Sequence, residues 1–303
     1  MAILDGISRV GVIGAGQMGR GIAQLCAGQG FSVTLADVGR DIAERGRTAI
    51  DQQLAKLVDK NKLGAEVRDQ MLARITPCDL YGGELEAVDF VVEAATEDID
   101  TKREIFATLD RACRGGVVLA TNTSSISITA IGAAVKRPER VIGMHFMNPP
   151  PLMKLVEIIR GLATADGTYE TTRAMAERLG KQTVVSRDIS GFIVNRVLMP
   201  MLNEACFALY EGIGSVEDMD TAIQLGLKHP MGPFSLMDLI GLDTALAILE
   251  VLHRDLGDPK YRPCPLLRQY VAAGWLGRKS GRGFYHYPAA APISGPIRTE
   301  EAR

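Results

Sequence analysis

What this chain of 303 residues has little of narrows it first. Its five cysteines, Cys26, Cys78, Cys113, Cys206 and Cys264, are scattered without a C-x-x-C pair. Neither a disulfide framework nor a metal centre is expected, and a reducing cytoplasm fits. A net charge of −2 provides no field for polyanions, so no nucleic-acid partner is expected. The most apolar stretch, 236–252, is broken by Asp238, Asp243 and Glu250, which argues against a span of about 20 apolar residues and any membrane partner. The N-terminus lacks the basic start and apolar stretch of an export signal. No repeat of solenoid period occurs, and the only biased segment is the Ala/Pro-rich 288–303, read as a frayed tail.

What is present is ordinary for a globular protein, 47% hydrophobic and 23% charged, in a chain long enough for two domains. Val10-Gly11-Val12-Ile13 is a short β-branched run that enters Gly14-Ala15-Gly16-Gln17-Met18-Gly19 and then a helical pattern through Ile22 and Leu25. Residues 31–36 alternate as a second strand that stops at Asp37. Residues 40–74 are charged and break near Gly64, which predicts two helices joined by a turn. Strands are predicted at 90–92, 117–120, 140–145, 155–159 and 183–186, with helices at about 101–113 and 169–179. After Gly191 the β pattern vanishes, and helices are predicted at about 192–211, 215–225, 235–255 and 264–273.

The fold expected is α/β: an N-terminal Rossmann-type doubly wound sheet with a helical hairpin insertion over 1–187, followed by an all-helical domain over 188–287. In the first of its helices, Asn195, Arg196, Asn203 and Glu204 are expected on one polar side facing a cleft or partner. So much apolar helix surface in a small domain predicts a homodimer through it.

A G-x-G-x-x-G match alone is weak, but here a strand precedes it, a helix follows, and an acid ends the next strand. Gly14 permits the turn, Gly16 lets a pyrophosphate approach, and Gly19 lets helix and strand pack. Gln17 and Met18 lie at the helix N-terminus, whose N–H groups and dipole favour an anion. Asp37 is placed to accept from the adenosine ribose hydroxyls and repels a 2′-phosphate, which favours NAD over NADP, with Arg40 nearby working the other way. FAD uses the same loop, but no flavin-embedding domain follows.

Polar residues concentrate at strand ends in Glu93–Glu97, Thr121–Ser125, His145–Pro149 and around Glu157. In a doubly wound sheet those ends share one crevice. Oxidising a secondary alcohol needs a base, and imidazole suits neutral pH. Of four histidines, His253 and His286 are expected in solvent and His229 in a turn, which leaves His145, at the end of a predicted parallel strand, as the candidate. Position alone leaves a structural histidine open.

These residues, with the runs Val91-Val92-Glu93-Ala94, Thr121-Asn122-Thr123-Ser124-Ser125, His145-Phe146-Met147-Asn148-Pro149-Pro150, Lys154–Glu157, Gly191–Arg196 and 274–285, carry a family resemblance over about residues 6–287. The chain resembles the 3-hydroxyacyl-CoA dehydrogenases, particularly their short bacterial 3-hydroxybutyryl-CoA type. The resemblance implies His145 as catalytic base, Glu157 as its orienting carboxylate, and Ser124 and Asn195 on the reacting oxygen and thioester end of an acyl-CoA. It also implies Glu97, Lys102, Asn122, Asn148 and Lys279 beside NAD, and the 40–74 helices beside the CoA. There Lys60 matches the family position that contacts CoA and Lys56 and Lys62 assist it, while Gln53 stands where some relatives carry serine. A sugar-acid or small β-hydroxyacid dehydrogenase, or a non-catalytic NAD-sensing relative, stays open beside it.

Overall fold

The computed structural model describes Leu4, residues 6–80 and residues 82–287, so the tail expectation at 288–303 lies outside the described residues. The chain divides into two compact units, Met1–Phe192 and Ile193–Arg303.

The first unit is built on one eight-stranded sheet: β1 (Arg9–Ile13), β2 (Ser32–Asp37), β3 (Ile75–Asp79), β4 (Phe90–Glu93), β5 (Val118–Thr121), β6 (Val141–Phe146), β7 (Leu155–Arg160) and β8 (Gln182–Arg187). The spatial order is β3-β2-β1-β4-β5-β6-β7-β8. Strands covered by helices on both faces must be apolar on both sides, and β4, β5 and β6 are buried at every position. The strand order reverses between β1 and β4, where an open α/β sheet forms its ligand crevice.

The helices are α1 (Gln17–Gly28), α2 (Arg40–Asp59), α3 (Ala65–Ala73), α4 (Ile99–Ala112), α5 (Ile128–Gly132) and α6 (Asp166–Arg178). The expected hairpin insertion is the α2/α3 pair, joined by Arg68 Nε donating to Asp51 Oδ1 at 2.8 Å.

Two features of the sheet differ from the sequence reading. β3 follows α3 directly and carries Pro77, which lacks an N–H; such a strand is tolerated because it pairs only with β2, at the edge. The second difference is direction. β6 and β7 run antiparallel, because residues 147–154 are too few for the helical crossover a parallel partner needs. β7 and β8 are again parallel, linked through α6.

The second unit is helical: α7 (Val194–Tyr210), α8 (Val216–Leu227), α9 (Pro233–Ile240), α10 (Leu242–Leu256) and α11 (Pro265–Ala272). The single helix expected at 235–255 is two, parted at Gly241, whose φ of +101° a helix cannot accept. Asn203 is not on an open polar edge. It is 3% exposed, donates to Arg262 O at 2.9 Å and accepts from Cys264 N at 2.8 Å, which staples α7 to the start of α11.

Buried Asp220 and Asp238 tie the last described segment to the helices. Asp220 accepts from Phe234 N, Ser235 N and Tyr285 Oη; Asp238 accepts from Phe284 N, Tyr285 N and Tyr287 Oη. Burial, with help from the nearby Asp220 charge, raises the Asp238 carboxyl above its ordinary value despite those hydrogen bonds. Among the described residues no helix is long and apolar enough to cross a membrane.

Candidate active site

The parallel register aligns Ile13, Glu93 and Thr121 in one row at the carboxyl edge of the sheet, and the loops that follow carry the polar residues. Gly14 has φ +97°, and a Cβ there would fall 2.7 Å from Ala94 O. A Cβ on Gly19 would fall 1.7 Å from Gly14 O, so α1 packs against the turn only because Gly19 has no side chain. Nothing lies within 4 Å of the Cβ position of Gly16, the N-cap of α1. No side chain caps α1 and no acid occupies its first turn, so its end, through Gln17 and Met18, presents N–H groups and positive dipole. These features fit a dinucleotide pyrophosphate.

Asp37 is anchored to the loop. Its Oδ2 accepts from Ala15 N at 2.7 Å and its Oδ1 from Val38 N at 2.8 Å, which fixes the carboxylate against the glycine turn. Each oxygen keeps a further lone pair for a ribose hydroxyl. Arg40 pairs with Glu44 one helical turn on, at 3.2 Å.

A buried charge network follows β4. Lys102 of α4 is 1% exposed, and its ammonium donates to Glu93 Oε1 at 2.6 Å and Oε2 at 2.8 Å. Thr121 Oγ1 donates to Glu93 Oε2 at 2.6 Å, and Ala95 N to Oε1 at 2.7 Å. Glu97 Oε2 lies 3.8 Å from the same ammonium.

The other Glu97 oxygen, Oε1, gathers the loop after β5: it accepts from Thr123 Oγ1 (2.6 Å), Ser124 N (2.8 Å) and Oγ (3.0 Å), and Ser125 N (3.1 Å) and Oγ (3.2 Å). Burial alone would raise the Glu97 carboxyl, but the Lys102 charge and the donors of Thr123 and Ser124 outweigh it and hold the group below its ordinary value. A carboxylate only accepts, so the Ser124 hydroxyl donates to Glu97. Ser124 is not a helix cap: Ser127 caps α5 through Ala130 N at 3.2 Å.

His145 and Glu157 face each other directly across β6 and β7. The His145 Nδ1–H donates to Glu157 Oε2 at 2.7 Å, with the histidine 7% exposed and the glutamate fully buried. That bond leaves Nε2 as the nitrogen able to exchange a proton with a ligand. Because β7 runs back from the carboxyl edge, its early residues lie beside the end of β6; a parallel β7 could not supply this partner.

Asn122 Oδ1 accepts from Phe146 N at 2.9 Å, which locks the end of β5 to that of β6. Asn148 Oδ1 accepts from Gln17 Nε2 at 3.3 Å, so the 147–154 loop reaches the glycine turn. Lys181, 8% exposed, donates to Pro150 O (2.6 Å) and Met153 O (2.7 Å), and its burial lowers the ammonium below the ordinary lysine value.

The first unit thus brings together Gly14, Gly16, Gln17, Met18, Gly19, Asp37, Glu97, Lys102, Asn122, Ser124, Asn148, His145 and Glu157 along one edge of its sheet. Lys60 and Gln53 stand elsewhere in that unit, both exposed, Gln53 on α2 and Lys60 at its C-cap. Asn195 and Lys279 belong to the second unit. Asn195 is buried on α7, and Lys279 Nζ pairs with Asp243 at 2.7 Å under the Gly241 turn. Glu93, Thr121, Thr123 and Ser125 fall in the polar strand-end segments of the sequence but were given no individual role there, and Lys181 was not singled out.

A glycine turn, an acid closing the second strand and a buried histidine–glutamate pair at the carboxyl edge define a Rossmann-type nicotinamide-dependent dehydrogenase. Residues 9–189 match the family model described as 3-hydroxyacyl-CoA dehydrogenase, NAD binding domain, and residues 191–287 that of the C-terminal domain. The chain belongs to the 3-hydroxyacyl-CoA dehydrogenase family.

It is 52% identical over 287 residues to a 3-hydroxybutyryl-CoA dehydrogenase of Bradyrhizobium diazoefficiens, covering 95% of this chain and 98% of that one. It is 40% identical to the human mitochondrial hydroxyacyl-coenzyme A dehydrogenase, covering 93% and 91%. The crystal structure of (S)-3-hydroxybutyryl-CoA dehydrogenase from Ralstonia eutropha superposes with a TM-score of 0.88 at 47% identity, covering 93% and 99%.

Proposed function

We propose that this enzyme interconverts short-chain (S)-3-hydroxyacyl-CoA and 3-ketoacyl-CoA, with 3-hydroxybutyryl-CoA and acetoacetyl-CoA as its pair, in fatty-acid oxidation or related acyl-CoA metabolism. The observation that carries the chemistry is the buried His145–Glu157 pair. NAD, when bound, supplies the hydride acceptor, or the donor in reduction. His145 Nε2 takes the hydroxyl proton in the oxidative direction, and Glu157 holds the imidazole in one tautomer and balances the imidazolium. Ser124 contacts the reacting oxygen beside His145, and Asn195 serves the thioester end.

The glycine loop and Asp37 hold the adenosine half of the cofactor. Glu97, Lys102, Asn122, Asn148 and Lys279 serve the nicotinamide half. Lys60, assisted by Gln53, holds the CoA on the exposed α2 face.

Residues 1–187 form the NAD domain and 188–287 the substrate and dimerisation domain. A homodimer is supported by exposed Ile213, Leu225, Leu227 and Leu239 in the helical unit. A cytoplasmic setting is supported by five free, buried cysteines.

The test is NADH oxidation against acetoacetyl-CoA, longer 3-ketoacyl-CoAs and a ketone-bearing sugar acid, repeated with NADPH. The highest kcat/KM is expected for acetoacetyl-CoA with NADH. A preference for the sugar acid, or for NADPH, would overturn the reading.

A further inference from the structure

The chain leaves the first unit through a segment that is held tightly and bent sharply. Asp188 fixes its start: Oδ1 accepts from Ile128 N at 2.8 Å, and Oδ2 from Thr129 N and Ser127 Oγ, each at 2.8 Å. Phe192 N then donates to Ile189 O at 3.0 Å. Gly191 and Phe192 are both left-handed, with φ +84° and +48°. Glycine takes that region freely. A phenylalanine does not, because its Cβ crowds the backbone, and it stays there only where its surroundings hold it.

The side chain shows what the bend achieves. Phe192 is 5% exposed, and its ring meets the His145 imidazole with centroids 5.7 Å apart and planes at 62°, an edge-on aromatic contact. The hydrogen bond to Glu157 restrains the imidazole from one side only, at Nδ1, and the ring can still swing through rotation about Cα–Cβ and Cβ–Cγ within the slack of that one bond. Proton transfer runs along the Nε2 lone pair, in the plane of the ring, so rocking misdirects it. A second contact on the ring removes that freedom.

We propose that Phe192 is a positioning residue for His145, and that the left-handed backbone at Gly191-Phe192 is the device that turns its ring back onto the sheet edge. The inference rests on the reading of His145 as the base. It adds a third member to the His145–Glu157 pair, supplied by the segment that leads out of the nucleotide-binding unit.

The test compares Phe192→Leu and Phe192→Met, which keep apolar bulk, with Phe192→Tyr, which keeps the ring. Thermal stability, NADH affinity by fluorescence, and kcat and KM for acetoacetyl-CoA are measured on the full chain, with His145→Gln as control. Leu and Met variants should fold, bind NADH as the wild type does and keep KM within about twofold, while kcat falls about tenfold or more, because small misplacements of a catalytic group are costly. The Tyr variant should recover most of that kcat.

Wild-type kcat in a folded Leu or Met variant overturns the proposal. So does a Tyr variant no better than Leu, or unfolding of both apolar variants, which would assign the ring to the core alone. Retained turnover in His145→Gln would instead remove the base assignment itself, whereas an inactive His145→Gln beside a normal Phe192→Leu would remove only the present inference.

Discussion

At the scale of single residues, the site is a set of carboxylates committed to particular neighbours. Glu157 is fully buried and accepts from the His145 Nδ1–H. Glu157→Gln keeps the size and loses the charge, so kcat should fall by about 10²- to 10⁴-fold with NADH affinity unchanged. His145→Gln should do the same, and the double variant should be little worse than the poorer single one because both disable one proton transfer. Steady-state rates with fluorescence titration of NADH check this, and losses that multiply would count against it.

Glu97 links charge to stability. Its carboxyl is held below the ordinary 4.5, so the unfolded chain takes up the proton first on acidification. The stability it contributes is therefore present above that value and lost as pH falls through the folded pKa. Denaturant midpoints measured from about pH 7 down to about pH 3 should fall less steeply for Glu97→Gln than for the wild type. A parallel pair of curves would show that Glu97 contributes no such linkage.

At the scale of elements, the turn-back between β6 and β7 decides the most. It brings Glu157 beside His145, and its connection, residues 147–154, carries Asn148 to Gln17 at the glycine turn. The connection is pinned from both sides. Pro150 packs so closely on α1 that a Cβ on Gly21 would fall 2.8 Å from it, and Lys181 holds the carbonyls of Pro150 and Met153. Lys181→Met should free those carbonyls and let the loop drift from the cofactor side. The expected outcome is a severalfold rise in KM for NADH with little change in kcat, the pattern of lost uniform binding. Initial rates at saturating acetoacetyl-CoA test it; unchanged KM would show that the loop holds without the clamp.

At the scale of the whole molecule, two units are held by different means. The first is a sheet whose central strands are buried on both faces. The second is a helical cluster whose last described segment is fastened by the two acids. A Cβ on Gly283 would fall 2.0 Å from Asp238 Oδ1, which shows how closely that segment wraps the carboxylate. Asp238→Ala leaves Phe284 N, Tyr285 N and Tyr287 Oη without their acceptor. Unfolding by urea should then show a loss of about 3 kcal/mol, since each buried unpaired donor costs on the order of 1–3 kcal/mol and some will relax toward water. A loss below about 1 kcal/mol would mean that the segment does not depend on this carboxylate.

The sequence by itself determined whatever is written in neighbouring residues. The Gly14–Gly19 turn between a strand and a helix, Asp37 closing the next strand, the hairpin insertion and the change to helices after Gly191 are local patterns of period and turn chemistry. The family motifs then named His145, Glu157 and Ser124. Tertiary structure decided which of these residues meet. Periodicity records that a strand is buried, not which strand lies beside it or in which direction. The His145–Glu157 pair was named through the family resemblance, while the antiparallel β7 and the edge strand with Pro77 were not legible in the sequence. The same holds for buried Lys102 on Glu93 and for the left-handed Phe192 against His145. Each joins groups on different elements, and burial selects the polar pairs because a charge or donor removed from water must find its partner wherever the fold has put one.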